Sequence, residues 1–292
     1  MFALLIKPVA MRKPKYRQII LQLKNNGAYQ VVGHDMQSIR AEIEMLSKDH
    51  QDITLVACGG DGTVNLGLNS IIDLPVKLAV LPMGTGNDFA RHVGLKHLER
   101  ALATLNDGFS EIIDVGQITF PDGVRKYYAA VASCGFDALV NERANKISGP
   151  DGPLKYLASV FGELKDLAPT KLNLRFNDQE LTGRFTLIAV GNTSSYGGGM
   201  KITPSADLKD GLFALTIVDQ ANRKTLVKVL PTVFSGRHVY HPKVSVEQTS
   251  TIEITGERYP IYADGERMGF GPAIFSVLPN HIQLLVPKTN NV

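Results

Sequence analysis

Cysteine is scarce: the 292-residue chain holds only Cys58 and Cys134. Both lie in apolar, strand-like surroundings with no His or second Cys at metal-binding spacing. That excludes a disulfide framework or thiolate metal site and leaves two buried, reduced thiols in a cytosolic protein. Long apolar runs are also missing. The opening "MFALLIKPVA" has no basic n-region or cleavage site, and no later run reaches the ~18 apolar residues of a membrane span. Any meeting with lipid is therefore expected from the cytosolic surface, as a peripheral association. Neither sign of charge dominates, and a net +3 is too small to point to nucleic acid, though compatible with weak attraction to anionic membranes. There is no internal repeat, low-complexity tract or long linker. What is present is 44% hydrophobic content over a length that suits two closely abutting domains with real cores.

The first ~120 residues alternate strand and helix signals, as an α/β domain does. An apolar strand at residues 3–6 precedes a helical face of Tyr16, Ile19, Ile20 and Leu23. Ile39, Ile43 and Leu46 mark a second helix. "ITLVAC" (53–58) is β-branched and apolar without alternation, as in a buried parallel strand. A helix follows over residues 64–72, then a strand "VKLAVLP" (76–82), then the stripe Leu98, Ala101, Leu102 and Leu105. After Asp114 strands succeed one another with turns between them, in "KYYAAVASCGF", "KLNLRFND", "GRFTLIAVGN", "GLFALTIVDQ", "TIEITG" and "YPIYADGE", which reads as a β-sandwich. The expected division is an α/β nucleotide-binding domain over residues 1–120, which a last strand within 280–292 could complete, and a sandwich over 121–279. Two helical stripes interrupt the second half. Leu154, Leu157, Val160, Phe161, Leu164 and Leu167 suit packing on a sheet or, alternatively, an exposed membrane-docking face. Leu226, Leu230, Val233 and Phe234 form the other, which Pro231 is expected to bend or end.

Chemistry concentrates where strands give way to glycine. In "VACGGDGTVN" (56–65) Gly59, Gly60 and Gly62 can take positive φ and let a ligand approach the backbone, while the amides opening the next helix attract an anion. The chain has no GxxxxGK[ST] and no GxGxxG between strand and helix, so the loop is neither a Walker loop nor a dinucleotide fingerprint. Asp61 would face bound phosphates, and two anions sit side by side only with a cation such as Mg²⁺ between them. An isolated GGDG reads equally as a tight turn with a capping Asp. The stretch "PMGTGNDFAR" (82–91) tilts the balance, adding Gly84, Gly86, the hydroxyl of Thr85, Asn87 as a helix cap and Asp88 as a second carboxylate. Both loops leave the carboxyl ends of strands, where open α/β sheets bind ligands, so Asp61 and Asp88 are expected to share one crevice. Asp114 is either a third carboxylate or a structural one.

Taken together, "GGDGTVN", "LPMGTGNDFAR", "IDVGQI", "SCGFDALV", "GNTSSYGGGMKITPSADLKDGLF", "GRHV" and "DGE" resemble, in order and over nearly the whole chain, the diacylglycerol kinase catalytic-domain family of bacterial lipid kinases, akin to sphingosine and ceramide kinases. The resemblance implies a fold like that of NAD kinase and diacylglycerol kinase, with a β-sandwich second domain and a lipid-accepting cleft between domains. It implies Mg²⁺-dependent transfer of the ATP γ-phosphoryl group to a lipid hydroxyl, giving phosphatidic acid when the lipid is diacylglycerol. The family's nucleotide loop falls on Gly59, Gly60, Asp61, Gly62, Thr63, Val64 and Asn65. A second contact falls on Thr85, with Asp88 and Asp61 organising Mg·ATP. A structural Mg²⁺ is implied at Asp207, Asp210 and Leu212, where an ordinary Asp-Gly turn would otherwise be read. The catalytic base is implied at Glu266 with Asp264 beside it, where Asp264-Gly265 alone would read as a hairpin turn.

One departure stands out. The family begins with an NPxSG-like loop after its first strand, whereas "IKPVAMRKPK" has Lys7 in place of the Asn and no glycine; nor is the threonine of the next connection evident in "VVGHDMQS". Lys7, Arg12, Lys13 and Lys15 offer positive charge to phosphate or form a solvated basic loop. Two other readings stay open: an NAD-kinase-like enzyme, since that group shares GGDG and a β-rich second domain, and a catalytically weak lipid-binding regulator. The expected partners are ATP and a lipid at the membrane surface, with no nucleic acid and with a homodimer left open.

Overall fold

The computed structural model describes residues 1–136, 138–140, 162, 164 and 167–288. The chain forms two compact units, one of Met1–Ile113 with Asn280–Val292 and the other of Asp114–Pro279.

The first unit is an α/β layer structure. In order it holds β1 (Phe2–Ile6), α1 (Pro14–Asn25), β2 (Tyr29–Gln30), α2 (Met36–Asp49), β3 (Thr54–Gly59), α3 (Asp61–Ile71), β4 (Lys77–Pro82), α4 (Asp88–His92) and α5 (Leu98–Asp107). The strands run parallel in the order β4-β3-β1-β2, with Leu4 beside Val56 and Val56 beside Ala79. The carboxyl half of the last strand adds to this sheet, pairing Leu284 in parallel with Leu78. Every residue of β3 is buried, which accounts for its unbroken apolar run. α2 starts in a capping box in which the Asp35 carboxylate accepts from the Ser38 amide and the Ser38 hydroxyl accepts in return. Its expected stripe is the one buried: Ile39 and Ile43 are fully covered, each contributing about 1.5–3 kcal/mol of apolar transfer.

The second unit is antiparallel. It contains β5 (Phe109–Thr119, beginning in the first unit), β6 (Arg125–Tyr128), β7 (Val131–Gly135), β8 (Thr170–Phe176), β9 (Gln179–Gly191), β10 (Phe213–Asp219), α6 (Arg223–Val233), β11 (Val244–Thr249), β12 (Thr251–Gly256), β13 (Pro260–Ala263), β14 (Glu266–Phe270) and the first half of β15 (Ala273–Val286). The path β14-β13-β7-β9-β8-β12-β15 wraps, with β10 on β9, around one core. Phe213, Phe275, Ile188, Val190, Ile252 and Ile261 lie at its centre. This is the sandwich-like domain expected from the run of strands. Cys58 and Cys134 are free and buried, one in each unit; burial pushes the Cys58 thiol up to about 12 and raises that of Cys134 as well.

Of the two helical stripes, the described members of the first pack as expected, whereas the second departs from expectation. Leu154, Leu157, Val160 and Phe161 lie outside the described residues. Leu164 is buried with Phe136, Val140, Ala221 and Leu226, and Leu167 packs beside them. In α6 the proline does not end the helix, which runs through Pro231 to Val233. Leu226 and Val233 are buried, but Phe234 is not: 57% of it is exposed. No described helix is long and apolar enough to cross a membrane.

Candidate active site

The loops after β3 and β4 come together at the carboxyl ends of neighbouring parallel strands, where Gly59 stands beside Pro82 and the Met83 amide donates to the Gly59 carbonyl (2.9 Å). Their glycines are there for a reason other than the one expected. None of Gly59, Gly60, Gly62, Gly84 or Gly86 has positive φ; Gly60, for one, lies at φ −102°. The constraint is contact. A Cβ on Gly84 would stand 2.4 Å from the Gly60 Cα and 2.8 Å from the Gly60 nitrogen, and one on Gly59 would stand 2.1 Å from the Thr63 hydroxyl. Gly84 thus packs main chain on main chain against Gly60 and admits no larger residue, whereas a Cβ on Gly60 would stand 3.2 Å from the Gly84 Cα and Gly59 is confined by the Thr63 side chain.

Above that contact the carboxylates act on the backbone. The Asp61 Oδ1 accepts from the Phe89 amide at 3.0 Å, so the first loop caps the helix opened by the second. Asn87 occupies the N-cap position of α4 at φ +52°, yet it does not cap. Its side-chain amide instead closes its own loop, accepting from the Gly84 amide (3.0 Å) and donating to the Gly84 carbonyl (3.1 Å). Burial raises the Asp61 pKa, the Phe89 amide opposes that, and the charge of nearby Asp88 adds to it. Asp61 and Asp88 thus do share one neighbourhood. Asp88 is buried and ion-paired with Arg91, whose guanidinium also donates to the Gly86 carbonyl at 2.8 Å. Thr85 is exposed at the loop tip, while Thr63, Val64 and Asn65 are buried in α3. The Gly62 amide, in the first turn of α3, has no acceptor among the described residues and is available to an anion.

The second cluster lies in the other unit. Asp264 and Gly265, at φ +53° and +81°, make the tight turn between β13 and β14, the conformation that a two-residue hairpin requires. Asp264 is buried, and its two oxygens accept from the Ala129 amide (2.8 Å) and the Ala130 amide (2.9 Å). Glu266, two residues on, is exposed at the start of β14. Of the two candidate carboxylates, Asp264 fastens the turn and Glu266 projects from it.

Asn192 extends this network and escapes sequence reasoning, although "GN" closes a legible strand. Fully buried, it donates through Nδ2 to the Ala129 carbonyl (3.0 Å) and the Asp114 carbonyl (2.9 Å). Asp114 in turn accepts the Gly211 amide (2.7 Å), and its own amide donates to the Leu208 carbonyl (2.7 Å). Asp114 therefore anchors the "ADLKDG" loop from inside the second unit. Within that loop Asp207 accepts from the Lys209 amide (3.0 Å) and Asp210 from the Leu212 amide (2.9 Å). No group of three His, Cys, Asp or Glu side chains that could hold a metal occurs among the described residues. A cation at this loop would rest on main-chain oxygens plus the exposed Asp210 carboxylate, an all-oxygen donor set that fits Mg²⁺.

Comparison with known proteins agrees with this architecture. Residues 11–118 match the family model described as "Diacylglycerol kinase catalytic domain", and residues 130–286 match "YegS C-terminal NAD kinase beta sandwich-like domain". The chain is 36% identical over 274 residues to a diacylglycerol kinase of Mycobacterium tuberculosis, covering 92% of this chain and 88% of that one. It is 32% identical over 248 residues to one of Staphylococcus carnosus, covering 83% and 79%. A crystal structure of a diacylglycerol kinase from Bacillus anthracis superimposes with a TM-score of 0.70 over 98% of this chain and 97% of that one, at 15% identity, so it speaks to the fold alone. An α/β unit with paired glycine loops, followed by a sandwich-like unit, defines the class. The chain belongs to the diacylglycerol kinase family.

Proposed function

We propose that this protein is a lipid kinase that transfers the γ-phosphoryl group of ATP to the hydroxyl of diacylglycerol or a related lipid, giving phosphatidic acid in the first case. The observation that carries the reading is the pair of closely packed glycine loops at the ends of β3 and β4, with a helix-opening amide at Gly62 that has no acceptor among the described residues. Such a surface binds phosphate oxygens through the backbone. Gly59, Gly60 and Gly62 line the approach, Thr85 adds a hydroxyl, and Asp61 and Asp88 supply the negative side of a nucleotide–magnesium site. Mg²⁺, when bound with the nucleotide, neutralises charge on the phosphates. A second cation at Asp207, Asp210 and Leu212 would be structural. Glu266 takes the proton of the attacking lipid hydroxyl, while Asp264, its oxygens occupied by two amides, holds the turn that presents it. Access to a lipid places the enzyme at the cytosolic face of a membrane as a peripheral protein.

The match of residues 130–286 to a sandwich described by likeness to NAD kinase keeps a second reading in view. Offering labelled ATP with diacylglycerol in mixed micelles, and in parallel with NAD⁺, decides between them. Label in the lipid phase is the expected result; label in NAD⁺ selects the other enzyme. Mg·ATP binding without transfer to either defines a regulator.

A further inference from the structure

The face that α6 turns away from the core is not an ordinary solvated helix surface. Its inner stripe is satisfied: Leu226 and Leu230 pack with Phe136, Val140 and Ala221. The outer face nevertheless carries large apolar groups, with Val227 51% exposed, Phe234 57% and, on the 3-10 turn that follows (Arg237–Tyr240), Tyr240 85%. Lys224 and Lys228 are exposed on the same face, because positions three and four apart in a helix are neighbours. Arg237 is exposed between Phe234 and Tyr240. Lys201 joins them from another segment, its amide donating to the Val233 carbonyl at 3.0 Å and its Cβ lying close to Gly236. Among the described residues no ion pair holds Lys201, Lys224, Lys228 or Arg237.

Charge along the chain sharpens the picture. No Asp or Glu occurs between Asp219 and Glu247, while Arg223, Lys224, Lys228, Arg237 and Lys243 fall inside that interval; a whole chain with net +3 thus concentrates five positive charges in one segment. Cations interspersed with exposed aliphatic and aromatic side chains suit the boundary between headgroups and acyl chains, where the cations meet phosphate and the apolar groups enter the hydrocarbon edge. A sugar-phosphate backbone would reward the cations but leave Val227 and Phe234 without a partner, and a protein groove would not call for a segment free of acidic residues.

We infer that the outer face of α6 and the turn after it form the surface by which the protein docks on an anionic phospholipid bilayer. The inference deepens the lipid-kinase reading by naming the docking surface, and rests on it for why docking is useful. The test uses the full chain with vesicles of phosphatidylcholine containing about one-third phosphatidylglycerol, pelleted at low and at high salt. A Lys224→Glu/Lys228→Glu variant and a Phe234→Ser/Tyr240→Ser variant are compared with Lys24→Glu/Lys48→Glu, which changes total charge equally but elsewhere. Each cation near a charged surface contributes roughly fivefold in partition, and withdrawing an aromatic ring from the hydrocarbon edge costs roughly tenfold or more, so both face variants should lose at least about tenfold in vesicle binding. The control pair should lose no more than about twofold, and high salt should weaken the wild type markedly. All these side chains are exposed, so melting temperatures should stay unchanged. Transfer to a micelle-dispersed lipid should also persist in every variant. Wild-type vesicle binding in the face variants, equal loss in the control pair, or equal affinity for vesicles of phosphatidylcholine alone each overturns the assignment. If the wild type transfers no phosphate in micelles, the kinase reading fails instead, and the vesicle comparison still decides the docking surface.

Discussion

The loops of the first unit and the turns of the second are held in different ways. At Gly60 and Gly84 two backbones lie so close that a methyl group on Gly84 would collide, and the Asn87 side chain fastens Gly84 from within its own loop. At Asp264 and Asp114 the main chain is held by side chains that reach across the fold to main-chain amides. The first arrangement leaves the Gly62 amide without an acceptor among the described residues. The second ties up the Asp264 carboxylate, while Glu266, two residues on, stays exposed. Glycine and aspartate, adjacent in both "GGDG" and "ADGE", thus do different work in the two places. Gly84 is constrained by contact and Gly265 by φ.

The largest effects should separate the two residues of the turn. Glu266→Gln removes the basic oxygen from an exposed position, so kcat for lipid phosphorylation should fall about 10²- to 10⁴-fold while ATP affinity and melting temperature hold. Asp264→Ala should do the reverse first: it strands two buried amides, and the loss of two charge-assisted hydrogen bonds costs roughly 3 kcal/mol or more, read as a lower denaturation midpoint. Normal turnover in Glu266→Gln alongside a folded but inactive Asp264→Asn would move the base to Asp264.

Next in size is the contrast between glycines. Gly84→Asn must push apart two main chains and should cost about 1–3 kcal/mol together with a raised KM for ATP. Gly265→Asn meets open space at φ +81°, a region Asn adopts readily, and should cost under about 1 kcal/mol. Equal costs at the two sites would erase the distinction between contact and φ.

Smaller effects concern the cation loop and Asp61. If a cation rests on Asp210, added Mg²⁺ should raise the wild-type melting temperature by mass action, and Asp210→Ala should abolish that response. An identical Mg²⁺ response in the variant removes the site. For Asp61, burial raises the folded-state pKa, so the ionised side chain disfavours the fold above that pKa, and the penalty vanishes below the unfolded value of about 3.9. Asp61→Asn keeps an acceptor for the Phe89 amide and removes the charge. Its melting temperature should match or exceed wild type at pH 7, with the gap closing toward pH 3, even as turnover collapses. A variant less stable at pH 7 than at pH 3, relative to wild type, contradicts this sign.

Much of this was legible from residue order alone. Unbroken apolar runs marked the parallel strands, alternating strands and turns marked the second unit, and the spacing of Ile39, Ile43 and Leu46 marked a helix whose buried residues they are. The loops after β3 and β4 were recognisable because glycine and aspartate cluster only where a strand has ended. The partners of the carboxylates were not. Asp264 bonds to amides 135 and 134 positions away, and nothing local distinguishes a carboxylate that fastens a turn from one that projects. The same limit hid Asn192. Phe234 lies off the inner stripe for a different reason: it continues α6 in helical conformation and, seven residues after Val227, shares that residue's exposed outer face.

The meeting of Gly60 with Gly84 also has a bearing on how such a protein can change over time. Most packed pairs drift by compensation, one side chain shrinking as the other grows, and leave a trace of correlated substitution. Here both partners already have the smallest residue available, and a Cβ on Gly84 would come within 2.4 Å of the opposing backbone. Neither can retreat to make room for the other. Gly84 should therefore stay invariant, while Gly60, where a Cβ would meet the Gly84 Cα at 3.2 Å, leaves only a few tenths of an ångström to give, so that methods inferring contacts from correlated change would find little trace of this contact between the loops.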